Sequence, residues 1–132
     1  MPRAQLVSNL VVAAFGLLTL SLGIWALADT TSFFDNVAEW PPYNRHFIHD
    51  IGAFQVGLGA VLLFALIWQG DAVLAALGGA AVGGTLHWIV HITDEEFGGR
   101  DADPYLLGIV ALILVLTFVW RLFAGKDEVR RY

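Results

Sequence analysis

"FIHDIGAFQVGLGAVLLFALIWQGDAVLAALGGAAVGGTLHWIVHIT", residues 47 to 93, decides the fold. It holds two apolar runs, 47–68 and 72–93, with little more than Gly70-Asp71 between them. Crossing the hydrocarbon core of a bilayer takes about 20 apolar residues in a helix, and each run supplies them. So short a connection makes the two runs a tight antiparallel helical hairpin.

Working outward, two further runs of the same kind occupy 6–28 and 105–124. Of the 132 residues, 58% are hydrophobic and 14% charged. An average soluble domain has about a quarter of its residues charged, and its helices carry polar faces that these runs lack. The sequence therefore predicts an all-α fold, a four-helix transmembrane bundle with up-down-up-down topology, as one integral membrane domain over 1–132. The run 6–28 exceeds the roughly 7–15 apolar residues of a secretion signal and is expected to be the first helix.

Arg3, Arg121, Lys126, Arg130 and Arg131 fall on one side of this topology, and Arg45 and Arg100 on the other. The positive-inside rule then puts both termini in the cytoplasm, with Arg130-Arg131 as an anchor. The outward loops, 29–46 and 94–104, hold most of the acidic residues. Trp25, Trp40 and Trp88 belong to an outer aromatic belt, Trp68 and Trp120 to an inner one. Pro41-Pro42 stops any helix in the first loop, and Asp103-Pro104 is a cap-and-first-turn pair for the last helix. The expected setting is a bacterial plasma membrane, with lipid as the first partner and no nucleic acid.

The chain has no cysteine, so thiolate ligands, disulfides and dithiol chemistry are excluded. Its four histidines, His46, His49, His87 and His91, sit toward the outer ends of the second and third runs. His46 and Asp50 are four apart and share a helix face; so do His87 and His91, with Asp94 three further on. Counting back from the turn sets Asp50 level with His91, and His46 level with Asp94 or Glu95. Below them Gly57 would meet Gly84 and Ala60 would meet Ala81, within stripes of small residues (Ala53, Gly57 and Ala60 on one helix, Gly84, Ala80 and Ala76 on the other) that let membrane helices approach closely.

Three readings of this cluster compete. His46, Asp50, His87 and His91, with His49 and Asp94 in support, could bind iron, zinc, copper or manganese. Haem, with an axial histidine from each helix, is a variant. Alternatively the groups form a proton or quinone site, or a lock of hydrogen bonds that holds the hairpin. "HWIVH" lacks the glutamate of a His-Glu-x-x-His hydrolase, so catalysis stays open. The alternative function is a non-catalytic accessory subunit of a larger membrane complex, or a homo-oligomer, that docks through glycine and alanine faces.

Elsewhere, Gly16 and Gly23 are seven apart and suit a close helix contact, Gln55 could hydrogen-bond across helices, and Gly79 and Gly83 form a small-xxx-small packing face. Ser8 and Asn9 are interfacial or helix-contact groups, and Glu95-Glu96 with "FGGRD" reads as a flexible loop. The four-helix layout, and "IGAFQVGLGAVLLFAL" (51–66) above all, resembles the DoxX-like group of small bacterial membrane proteins. The resemblance implies a four-helix fold and a setting near membrane redox complexes. It carries no site residue, because the histidine pairs are not that group's motif.

Overall fold

A computed structural model describes residues 3–129, with side chains as far as Ala124. The Arg130-Arg131 anchor lies outside the described residues. The elements are α1 (Arg3–Ala28), α2 (Thr30–Asn36), α3 (Arg45–Trp68), α4 (Asp71–Thr93), a 3₁₀ turn at Glu95–Phe97, and α5 (Asp103–Val129). Among the described residues there is no strand. Four helices are long and apolar enough to cross a membrane, and they start one to three residues before the expected spans. Helices suit this sequence because every mid-segment N–H and C=O is satisfied within its own segment.

The short helix α2 is the element the sequence reading missed. Pro41-Pro42 does keep its own surroundings irregular, but α2 has already ended at Asn36. Asp29 starts it, its Oδ1 accepting from the Ser32 amide at 3.0 Å. Phe33 then anchors it, buried with Ala26 of α1 and Ile48 of α3. Asn44 caps α3 in the same way, Oδ1 accepting from the Phe47 amide at 3.1 Å.

The tightest packing is between α1 and α3. A Cβ placed on Gly23 would lie 2.6 Å from Val56 N and 2.8 Å from Gly52 O. One on Gly59 would lie 2.7 Å from Leu20 N and 2.9 Å from Gly16 O. Here the two backbones touch, and only glycine fits. The partners run 16 with 62, 20 with 59 and 27 with 52, so the helices are antiparallel. The close contact expected for Gly16 and Gly23 is present, and Gly52 and Gly59 complete it.

α4 instead packs on α5. A Cβ on Gly78 would lie 2.9 Å from the Phe118 ring, and one on Gly84 3.1 Å from Leu114 Cδ1. One on Gly108 would lie 2.9 Å from Trp88 Nε1. These contacts again define an antiparallel pair. The expected seam of Ala53, Gly57 and Ala60 against Gly84, Ala80 and Ala76 is not formed. Gly57 faces open space, Gly84 meets α5, and Ala80 and Ala76 belong to the core shared by all four long helices. The reason is angular. Gly57 stands roughly 140–160° around α3 from Gly52 and Gly59 at 3.6 residues per turn, so a helix committed to α1 turns Gly57 away.

The shared core joins Val12, Leu62, Ala65, Val73, Leu77, Ala80, Ala81 and Leu114, toward the end of the bundle where Gly70 makes the turn. Gln69 and Gly70, with φ of 57° and 54°, make the turn with positive φ. Asn9 Nδ2 donates to Gln69 Oε1 at 2.8 Å, tying α1 to the turn. Ser8 is wholly buried, and its hydroxyl donates to Ala4 O at 2.8 Å. Gln55 does not make the expected cross-helix bond: its Oε1 is buried without a hydrogen-bond partner. On α4 no residue beyond Ala81 toward the loop end is buried.

Between 17% and 28% of each span's apolar window is buried within the chain, so most of its surface needs an apolar environment. Gly23→Ala should lower stability by about 1–3 kcal/mol, the usual cost of overpacking, because a backbone amide blocks the new methyl group. Gly57→Ala should be neutral or mildly stabilising. Thermal unfolding of both variants in detergent, followed by circular dichroism, checks the contrast; equal destabilisation would contradict the seam.

Candidate functional site at the loop end

The polar residues of the loop end fall into two separate pairs. On the first turns of α3, His46 Nε2 lies 3.6 Å from Asp50 Oδ2, with both side chains largely exposed. Such a pair contributes little, since water screens it. His49 makes no hydrogen bond or ion pair among the described residues.

On α4, His87 and His91 turn their rings toward one another. Their Nε2 atoms are 3.1 Å apart and their ring centroids 4.8 Å apart, inclined at 71°. One helical turn separates the residues, so the spacing alone brings the rings together. Trp40 from the first loop meets His91 edge to face, with centroids 5.3 Å apart. Asp94 does not join them. It ends α4, its amide donating to Val90 O at 2.9 Å, and its Oδ1 accepts from the Thr93 hydroxyl at 3.1 Å.

The six residues singled out in the sequence therefore do not form one ligand cage. Among the described residues no three His, Asp or Glu side chains are placed to hold a metal ion. The cause is the packing already described: α3, which carries His46, His49 and Asp50, follows α1, while α4 follows α5.

A strap of loop residues seats Trp40. Gly99 N donates to Glu39 O at 2.9 Å, crossing the second loop over the first. A Cβ on Gly98 would lie 2.9 Å from Glu39 O, and one on Gly99 3.0 Å from Trp40 Cζ2. Both glycines have positive φ, 150° and 89°, so this double glycine answers both space and backbone conformation. Next to it, Arg100 Nη1 donates to Asn36 O at 2.6 Å, at the end of α2. Arg100 Nη2 lies 3.0 Å from Asp103 Oδ1, whose side chain is buried, and Asp103 Oδ2 accepts from the Arg100 amide at 3.1 Å. The Asp103 carboxylate thus turns to Arg100, where the sequence suggested a helix cap. Nearby, Thr30 Oγ1 and Tyr43 Oη share a hydrogen bond of 2.6 Å, which holds the Tyr43 phenol below its ordinary pKa.

Sequence reasoning placed Trp40 in the aromatic belt, Arg100 among the outer charges and "FGGRD" in a flexible loop. The available signals were the adjacent glycines and the Arg-x-x-Asp spacing, which suits a turn closed by an ion pair. No family model, curated protein or solved structure matches the chain.

Chemically, two ring nitrogens at 3.1 Å can do one of two things. They can share a single proton, one Nε2 donating to the other. Or both can present lone pairs to one cation: Nε2 atoms each about 2.0–2.1 Å from a metal and set at 90–109° stand about 2.9–3.4 Å apart.

Arg100→Ala should destabilise the loop end by about 1–3 kcal/mol, because it strands the buried Asp103 carboxylate. Adding Asp103→Asn should recover part of that loss. Thermal unfolding of the single and double variants, with amide exchange over residues 36–42, measures it. A double variant less stable than Arg100→Ala would count against the pair.

Proposed function

We propose that this is an integral membrane protein with both termini in the cytoplasm and the Trp40 strap on the outer side. In this reading His87 and His91 capture a transition metal ion that arrives from outside. The observation that carries it is the Nε2 separation of 3.1 Å, which matches the bite of two imidazoles on one ion. Two neutral nitrogens suit zinc or copper better than magnesium or calcium, which prefer oxygen. The remaining coordination positions are left to water or to a donor brought by a partner. That fits transient metal handling better than a permanent structural centre, which takes four protein ligands. Haem fits this pair less well. Trans axial nitrogens stand about 4 Å apart with the macrocycle between them, at ordinary metal–imidazole distances. A 3.1 Å pair on one helix is a cis arrangement.

The test uses untagged protein purified in detergent and titrated with Zn²⁺ and Cu²⁺ by calorimetry, with elemental analysis of the product. Binding near one equivalent is expected. It should be lost in His87→Ala and His91→Ala and kept in His46→Ala and Asp50→Ala. Unchanged binding in both α4 variants would reject the assignment.

A second reading rests on a different observation. Among the described residues nothing lies within contact of a Cβ on Gly57, Gly79 or Gly83, so α3 and α4 offer small-residue faces left open there. This favours an accessory subunit of a membrane redox complex, or a homo-oligomer, in line with the DoxX-like resemblance. The mass of the assembly in mild detergent checks it: a larger hetero-complex is expected, and a lone monomer would argue against it.

A further inference from the structure

At the loop end of α4 and α5 an open groove of ≈ 590 Å³ runs from Glu95 and Asp101 down to Leu112. It lies within the usual range of ligand clefts, about 300–1,000 Å³. Ile92, Ile109 and Leu112 form its apolar part; Tyr105 stands near the mouth, and Trp88 lies level with Gly108, a turn below Ile92. Gly108 shapes the wall, because the absence of a Cβ lets the Trp88 indole lie against the α5 backbone. From Pro104 to Leu112 the groove descends about 12 Å along the helix, at 1.5 Å per residue.

Its mouth is negative and unpaired. Neither Glu95 nor Asp101 has a cationic partner among the described residues. The adjacent Arg100 is already engaged by Asp103 and by Asn36 O. Below these carboxylates the groove is lined by two donors that make no hydrogen bond among the described residues, Tyr105 Oη near the mouth and, deeper, Trp88 Nε1 against Gly108. The groove therefore offers two acceptors for a cation at its mouth, two donors for an anion below them, and an apolar wall that continues down to Leu112. We propose that it binds a zwitterionic phospholipid with an ethanolamine headgroup, its ammonium on Glu95 and Asp101, its phosphate or ester oxygens toward Trp88 and Tyr105, and an acyl chain along Ile109 and Leu112. An anionic headgroup would meet the two carboxylates without a counter-charge. A choline headgroup has the charge but no N–H to donate. The site is separate from the histidine pair and rests only on the reading that these helices lie in a bilayer.

Protein in mild detergent is incubated with an equimolar mixture of phosphatidylethanolamine, phosphatidylcholine and phosphatidylglycerol of identical acyl chains. Retained lipid is then counted by native mass spectrometry. One bound phosphatidylethanolamine should predominate. Glu95→Gln and Asp101→Asn should each reduce its excess about two- to fivefold, the scale of an exposed ion pair. The double variant, with helicity checked by circular dichroism, should hold the three lipids equally. Equal retention by the unaltered protein, a preference for choline, or a preference that survives the double substitution would overturn the proposal. Retention of no lipid at all would also overturn the proposal, while the bilayer reading, which rests on the four apolar spans, would stand.

Discussion

The contact on which the rest of the molecule depends is the backbone-to-backbone seam between α1 and α3. Lipid tails are as apolar as leucine, so burying leucine between membrane helices gains little; close van der Waals contact must hold them instead. Gly16 and Gly23 on one side and Gly52 and Gly59 on the other provide it, because only their lack of side chains lets main chains come this close. With the glycine face of α3 committed to α1, α3 meets α4 through the core near the turn, and α4 takes α5 as its close neighbour. The bundle is thus two antiparallel pairs joined by the Gln69-Gly70 turn and by the core around Leu62, Leu77 and Leu114.

That division explains the loop end. The histidines of α3 and those of α4 belong to different helix pairs, so the polar partners they find come from their own helical spacing. His46 reaches Asp50, and His87 reaches His91. What connects the two sides is loop structure: Trp40 on His91, the Gly99 amide on Glu39, and Arg100 on the last carbonyl of α2. A basic side chain at that carbonyl also complements the negative end of the α2 dipole. The strap does what the splayed helices cannot, since no residue of α4 beyond Ala81 is buried.

Much of this was legible in the sequence, and the boundary is physical. Apolar runs of 20 or more residues are a property of the segments themselves, so the four long helices and their ends could be read directly. The same holds for the i,i+4 histidine pairs and for the closeness implied by Gly16 and Gly23. The partner of each helix could not be read that way. α3 has small residues at Gly52, Ala53, Gly57, Gly59 and Ala60, which point several ways around it. A short turn suggests that its two helices pack along their length, but it fixes them only at one end. The Gly52 and Gly59 repeat on α3 matches the seven-residue repeat of α1, and weighing that match would have favoured the observed pairing. The Trp40 strap depends on contacts between residues more than fifty positions apart, which no local pattern carries, whereas α2 rests on nearer ones, the Asp29 cap and Phe33 on Ala26 and Ile48.

Because the chain has no cysteine, introduced pairs can test this arrangement directly. A Cβ on Gly52 would stand 3.1 Å from Ala26 Cβ, close to the roughly 3.5–4.5 Å of a disulfide. The measurement is oxidation in native membranes of Ala26→Cys/Gly52→Cys beside Gly57→Cys/Gly84→Cys, read as cross-linked against uncross-linked chain. Efficient closure of the first pair and none of the second is the predicted result. Closure of the second pair without the first would place α3 on α4, and the separation of the two histidine pairs would lose its basis.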